Sequence, residues 1–245
     1  MRGQRLIPSW LRRLLRRPID RARFQVHLHR LRRSLARLER AVSIDQLDLP
    51  LLEDVALAWG NAGYAGDPGF LLELARSAWT GKGPVLDCGS GLSTVVAAVI
   101  TARRGEAVWS LEQDEQWYHE LRRVLAALPL GNVTLRYAPL RSYGEFAWYD
   151  VERGDLPSHF AIVACDGPAV RRSAWPAPLF EAWRVGAVPV LRDLGISFDR
   201  IVLDDATDPR APALLEHWRA VGILLQSVDT PSGRHIVGIA PTAGS

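Results

Sequence analysis

Apolar positions along the chain follow two periods. Phe24, Leu28, Leu31, Leu35, Leu38 and Val42 are spaced alternately four and three residues apart, which is the repeat of one helical face. Before them, Ile7, Trp10, Leu11, Leu14 and Leu15 share a face of a shorter pattern, and Pro18 predicts a break between the two. A second helical stretch runs from Asp45 into Trp59–Gly66, a loop with three glycines that either folds over a pocket or simply connects. Apolar residues at 70, 71, 74, 75, 78 and 79 predict a helix over Phe70–Trp79, closed by Gly81-Lys82-Gly83-Pro84. From there short apolar runs alternate with helical patterns. Strands are expected ending at Val85-Leu86 and at Ala107–Leu111, Val133–Tyr137, Phe160–Cys165 and Arg200–Leu203. Helices are expected through Val95–Ile100, over Gln116–Leu128, from about Pro176 to Leu194, and over Ala211–Val221. Leu224–Asp229 and His235–Ala240 then form a closing hairpin across Thr230–Arg234. Such alternation predicts three layers: a mostly parallel seven-stranded sheet covered by helices on both faces, with the hairpin antiparallel at its end.

Charge divides the chain in two. Residues 1–40 carry 13 arginines against Asp20 and Glu39, a net +11. The remainder carries 17 basic and 25 acidic side chains, a net −8 that the overall +3 conceals. The expected units are therefore a basic amphipathic helical arm, 1–43, and an α/β domain, 44–245. An arginine-flanked apolar seam predicts a helix docked on the body or on a second copy, a homodimer; an arginine-rich face with a tryptophan also suits an anionic membrane surface. With no recognisable nucleic-acid-binding module, nucleic acid is not an expected partner. No apolar run is long enough to span a membrane, and no uninterrupted apolar stretch follows the first charges, so a cytoplasmic protein, peripheral to the membrane through its arm at most, is expected. Cys88 and Cys165 have neither disulfide-framework nor zinc-site spacing and read as small buried thiols.

The chemistry concentrates at the ends of the strands. Val85-Leu86-Asp87-Cys88-Gly89-Ser90-Gly91-Leu92-Ser93-Thr94 reads as strand, tight glycine turn and helix start, with Ser93 or Thr94 as cap. Backbone N–H groups of such a turn face a ligand. A dinucleotide fingerprint would put a third small residue where Thr94 stands, and Asp87 would repel a pyrophosphate. A carboxylate there suits an ammonium group, as at the amino-acid end of S-adenosylmethionine. Glu112 lies 21 residues past Gly91, the offset of a carboxylate that takes ribose hydroxyls. Gln113 follows it, and Ala138-Pro139-Leu140 after the third strand falls on the adenine side, with no acid to take the exocyclic amine. Two more strands end in acids, Asp166 and Asp204-Asp205. Like charges gathered in one crevice repel unless a cation or a donor-rich ligand sits among them.

These segments, with Ser110–Trp117, Cys165–Arg172 and Ile201–Ala206, resemble the class I S-adenosylmethionine-dependent methyltransferases of bacteria over roughly residues 55–240. The resemblance implies a Rossmann-like fold and methyl transfer to a small-molecule acceptor, at oxygen rather than nitrogen. It places the cofactor on Asp87, Gly89, Ser90, Gly91, Glu112, Gln113 and Ala138. The acceptor falls to Asp166 and Asp204, with Arg172 countering its charge. Asp166, Asp204 and Asp205 also resemble the metal-ligand positions of catechol- and macrocin-type O-methyltransferases, which implies Mg²⁺ held by those three carboxylates. The lysine that catechol-type enzymes carry three residues past the first aspartate is Ala169 here. Two other classes fit parts of the pattern: a nicotinamide-dependent oxidoreductase, and a non-catalytic Rossmann-like domain whose arm is the working surface.

Overall fold

The computed structural model describes residues 9–60, 65–169, 184–231 and 233–240, with side chains from Gln25 onward. Helix α1 spans Ser9–Arg40. It runs through Pro18, where the sequence predicts a break; a proline inside a helix removes one backbone donor and crowds the carbonyl four residues back, a local cost that does not end the helix here. Beyond Pro18 the seam works as its spacing predicts. Leu28, Leu31, Leu35 and Leu38 are buried in one core with Leu52 and Val55 of α2 (Leu49–Trp59), Phe70 and Leu74 of α3 (Pro68–Thr80), and Val95 and Val96 of α4 (Leu92–Ala102). Val42, the last seam position, is exposed. Aspartates cap the next two helices: Asp48 Oδ1 accepts from Leu51 N at the start of α2, and Asp67 Oδ1 from Gly69 N and Phe70 N at the start of α3. Each helix has a proline in its first turn, where the missing N–H costs nothing.

The sheet contains β1 (Val85–Cys88), β2 (Val108–Glu112), β3 (Val133–Tyr137), β6 (His159–Cys165), β7 (Ser197–Leu203), β8 (Leu224–Thr230) and β9 (Gly233–Ile239), in the order β3-β2-β1-β6-β7-β9-β8. The first five are parallel; β9 is antiparallel to both β7 and β8. Helices α1 to α4 cover one face, joined by α5 (Glu115–Ala127). The other face packs on α6 (Ala187–Asp193) and α7 (Ala211–Ala220), with Trp148, Tyr149 and Trp218 fully buried. A two-stranded hairpin, β4 (Leu140–Ser142) and β5 (Ala147–Tyr149), was not expected from the sequence. Strands of three residues are too short to show a period. Of the helical region expected over 176–194, the part before Arg184 lies outside the described residues.

Strand order reverses between β1 and β6. In such sheets the crevice at the carboxyl ends, at that reversal, is the ligand site. Register brings those ends level: Cys88 lies beside Leu111 of β2 and Cys165 of β6, and Cys165 beside Leu203 of β7. The acids that follow are thus neighbours in space. Among the described residues no helix is long and apolar enough to cross a membrane.

Candidate functional site

The turn after β1 is held from both sides. Gly89 N donates to the Leu111 carbonyl, while the Cys88 carbonyl accepts from Asp166 N at 3.0 Å and Gly167 N at 2.5 Å. Gly89 adopts φ +112°, and a Cβ there would lie 2.5 Å from Gly167 N, so only glycine lets the β1 and β6 turns meet. Gly167 is constrained likewise, because a Cβ on it would strike the Tyr149 hydroxyl. Gly91 has φ 168°, ordinary extended backbone, so any glycine requirement at that position is not conformational.

Asp87 is wholly buried beneath the start of α4. Its Oδ2 accepts from Thr94 Oγ1 at 2.5 Å and Ser93 Oγ at 3.0 Å. Thr94 is thus both a cap, accepting from Gly91 N at 3.1 Å, and a partner of Ser110 across to β2. Asp87 Oδ1 has no hydrogen-bond partner. Burial raises this carboxyl to about 7, more than the hydroxyl donors of Thr94 and Ser93 lower it. An orphaned carboxylate oxygen under a glycine turn is the chemical complement of an ammonium donor.

Glu112 ends β2 close by. Its Oε2 accepts from Ser90 Oγ at 2.5 Å and its Oε1 from Asp114 N at 2.7 Å. Desolvation again raises its pKa, against the Ser90 bond. A carboxylate has about four acceptor sites, more than these two bonds and the Gln113 backbone N–H occupy, which leaves room for a hydroxyl donor. Trp117, in the first turn of α5, donates Nε1–H to the Ser90 carbonyl at 2.9 Å and meets Trp59 edge-on at 6.3 Å. Gln113 Oε1 is buried without a partner. Ala138 is buried and its N–H donates to the Glu112 carbonyl, placing this backbone beside the acid. All seven cofactor positions expected from the sequence therefore line one stretch of the sheet edge, at β1, β2 and just past β3. The buried, unpartnered oxygens of Asp87 and Gln113 fit a donor-rich ligand such as S-adenosylmethionine.

The acids after β6 and β7 adjoin it. Asp166 Oδ1 lies 3.0 Å from Arg184 Nη2, which is also 3.0 Å from Asp205 Oδ2; Arg184 Nη1 donates to the Asp204 carbonyl at 3.1 Å. The Asp204 carboxylate turns to backbone, accepting from Asp67 N at 3.0 Å and Asp205 N at 2.7 Å. Burial pushes both Asp166 and Asp204 upward; for Asp166 the guanidinium opposes that push, and for Asp204 the Asp67 N–H does. The expectation of Mg²⁺ on Asp166, Asp204 and Asp205 gains no support from these contacts. Arg184 already supplies the positive charge between two of those carboxylates, and the third is engaged with N–H donors. No group of three or more His, Cys, Asp or Glu suited to a metal occurs among the described residues. Arg172, expected to counter acceptor charge, lies outside the described residues.

Three contributors to this edge were missed from the sequence. Arg184 stands in no motif. Tyr149 arrives through the unexpected hairpin, its buried hydroxyl unpartnered and its pKa raised by desolvation. Asp67, the N-cap of α3, has no signal of its own in the sequence and reaches Asp204 through its backbone N–H. Cys88 and Cys165 are free, buried neighbours, as expected, with thiol pKa values raised by burial. His235 is buried with neither ring nitrogen partnered, and desolvation lowers its pKa.

By sequence no protein family matches the chain, and no curated protein matches it. Solved structures match by shape. The hMettl16 catalytic domain in complex with MAT2A 3′UTR hairpin 1 covers 80% of this chain and 82% of its own, with TM-score 0.51 and 10% identity. The delta-N METTL16 MTase domain covers 82% and 99%, with TM-score 0.50 and 10% identity. A putative O-methyltransferase from Klebsiella pneumoniae covers 88% and 90%, with TM-score 0.47 and 15% identity. The shared feature is the fold: a Rossmann-like, class I methyltransferase fold, seven-stranded with its last strands antiparallel. One of these neighbours carries an RNA hairpin, so the expectation that nucleic acid is not a partner gains no support from the fold.

Proposed function

We propose that this chain, built on the class I methyltransferase fold, transfers a methyl group from S-adenosylmethionine to the oxygen of a small-molecule acceptor. The observation that carries the reading is Asp87 Oδ1, a fully buried carboxylate oxygen with no partner beneath the Gly89–Gly91 turn, one strand away from Glu112. In this reading Asp87 takes the ammonium end of the cofactor. Backbone of Gly89, Ser90 and Gly91 lies along it, Glu112 takes the ribose hydroxyls, and Gln113 and Ala138 border the adenine. The cofactor supplies the methyl group as an electrophile. The protein's own work is alignment and charge management, the dominant contributions in transfers that need no enzyme nucleophile. Asp166, raised by burial to about 8 against the pull of Arg184, orients the acceptor hydroxyl and in its ionised form receives the proton, so the transfer should quicken as the pH rises through that value. Asp204 braces that edge through Asp67. Arg172 is assigned the acceptor's charge on the sequence resemblance alone. The arm, 1–43, is proposed to serve docking, with 44–245 as the methyl-transferring domain.

Calorimetric titration with S-adenosylhomocysteine tests this reading. Micromolar binding that weakens in Asp87→Asn and Glu112→Ala is expected. Absence of binding by a protein shown to be folded would refute it, and a titration with NAD or NADP would then test the oxidoreductase class.

A further inference from the structure

Among the described residues, two non-glycine residues have positive φ: Arg184 and Asp205, both at 55°. Such a backbone is strained for an L side chain and persists where its surroundings over-determine it, as at ligand clamps. These two residues are ion partners. The Arg184 guanidinium, with its side chain only 6% exposed, gathers the ends of two strands: Asp166 after β6, and Asp205 with the Asp204 carbonyl after β7. Its Nη2 lies 3.0 Å from an oxygen of each carboxylate, two of the three that the sequence resemblance assigns to a divalent cation. A guanidinium is weakly hydrated and keeps its charge when buried, which an ammonium does not do as well.

We infer that Arg184 is a resident cation that takes the place of a divalent metal at the acceptor edge, so that this edge is metal-free by construction. Arg184 is a positioning residue: it fixes the Asp166 carboxylate from one side and joins the two strand ends, and both of its terminal nitrogens donate to protein oxygens. The inference rests on the strand-end geometry and not on methyl transfer, so the two fail separately.

The test replaces Arg184 with glycine, which accepts φ 55° without strain and leaves two carboxylates and a carbonyl facing a gap. Those oxygen ligands suit Mg²⁺ or Mn²⁺. The wild-type chain, Arg184→Lys and Arg184→Gly are titrated with MnCl₂ alone, by calorimetry and by thermal unfolding. Expected are no binding to wild type or Arg184→Lys, and a single Mn²⁺ bound by Arg184→Gly that is lost when Asp205→Asn is added. Bound metal should raise the Tm of Arg184→Gly by about 5–10 °C at roughly a hundredfold excess over the dissociation constant. Mn²⁺ binding to wild type that Asp205→Asn abolishes would overturn the inference, as would an Arg184→Gly protein, shown to be folded, that ignores the metal. If Arg184→Gly does not fold, wild type against Asp205→Asn decides. The half-exposed Asp205 should tolerate that change, and Mn²⁺ binding lost with its charge would identify a metal site that Arg184 does not replace.

Discussion

Replacing Asp87 with asparagine separates two effects that the buried carboxyl combines. Its pKa is about 7 when folded against 3.8 when exposed, because nothing but hydroxyl donors compensates its burial. An acid raised on folding binds more protons in the native than in the unfolded state between those values. Its contribution to stability is therefore fully present below pH 3.8 and is lost as the pH rises through 7. At 1.36 kcal/mol for each pKa unit, a rise of roughly three units amounts to about 4 kcal/mol of stability removed across that window. The side chain is fully buried, so solvent screening does not reduce that figure. Urea unfolding between pH 4 and 8 should show the wild-type free energy falling more steeply than that of Asp87→Asn, by up to about 4 kcal/mol in total. The other raised acids, Glu112, Asp166 and Asp204, add slope of the same sign to both proteins; Asp166 is raised in part by the Asp87 charge, so its slope is smaller in Asp87→Asn and widens the difference. A ligand ammonium facing Oδ1 would favour the ionised form, so S-adenosylhomocysteine should bind wild type more tightly at pH 8 than at pH 6. Asp87→Asn should lose that dependence. Superimposable pH profiles for the two proteins, in unfolding and in binding, would refute the assignment of Asp87 as a charge-bearing ligand residue.

Three further outcomes are expected. Glu112→Gln keeps the shape but replaces one acceptor oxygen with a donor, so S-adenosylhomocysteine affinity should fall about tenfold, the equivalent of one charge-assisted hydrogen bond; calorimetry reads it directly. Leu38→Ala opens a cavity where α1 meets the body, at a side chain with no exposed surface, and should cost about 2–5 kcal/mol in chemical denaturation. If α1 were a free arm the cost would be near zero. Gly89→Ala places a Cβ on Gly167 N and demands an unfavourable φ, so the β1 and β6 turns must separate. It should lose cofactor-analogue binding and at least about 1–3 kcal/mol of stability, followed by calorimetry and thermal unfolding.

What the sequence determined alone is what one segment can encode by itself. The four-three seam of Leu28, Leu31, Leu35 and Leu38, the short β-branched runs, the glycine turn and the acids at four strand ends all depend on neighbours within a few residues, and local pattern reports them. Alternation of strands and helices then left few topologies, and the parallel sheet with its antiparallel end followed. The tertiary structure decided whatever joins distant segments. It showed that the seam shares one core with α2 to α4, which a lone amphipathic pattern does not specify. It formed the β4–β5 hairpin from strands too short to have a period. It set Asp87 beneath Thr94 and Ser93, leaving one oxygen orphaned, where the sequence could say only that an acid preceded the turn. Its largest addition was at the strand ends. Four acids gathered at one edge called for positive charge, and the sequence offered a metal or the arginines just after Asp166. The sheet order instead brings Asp67 to Asp204 across 137 residues and lays Arg184 between Asp166 and Asp205. Electrostatic balance in a crevice depends on which chain segments meet there, and that is fixed by packing.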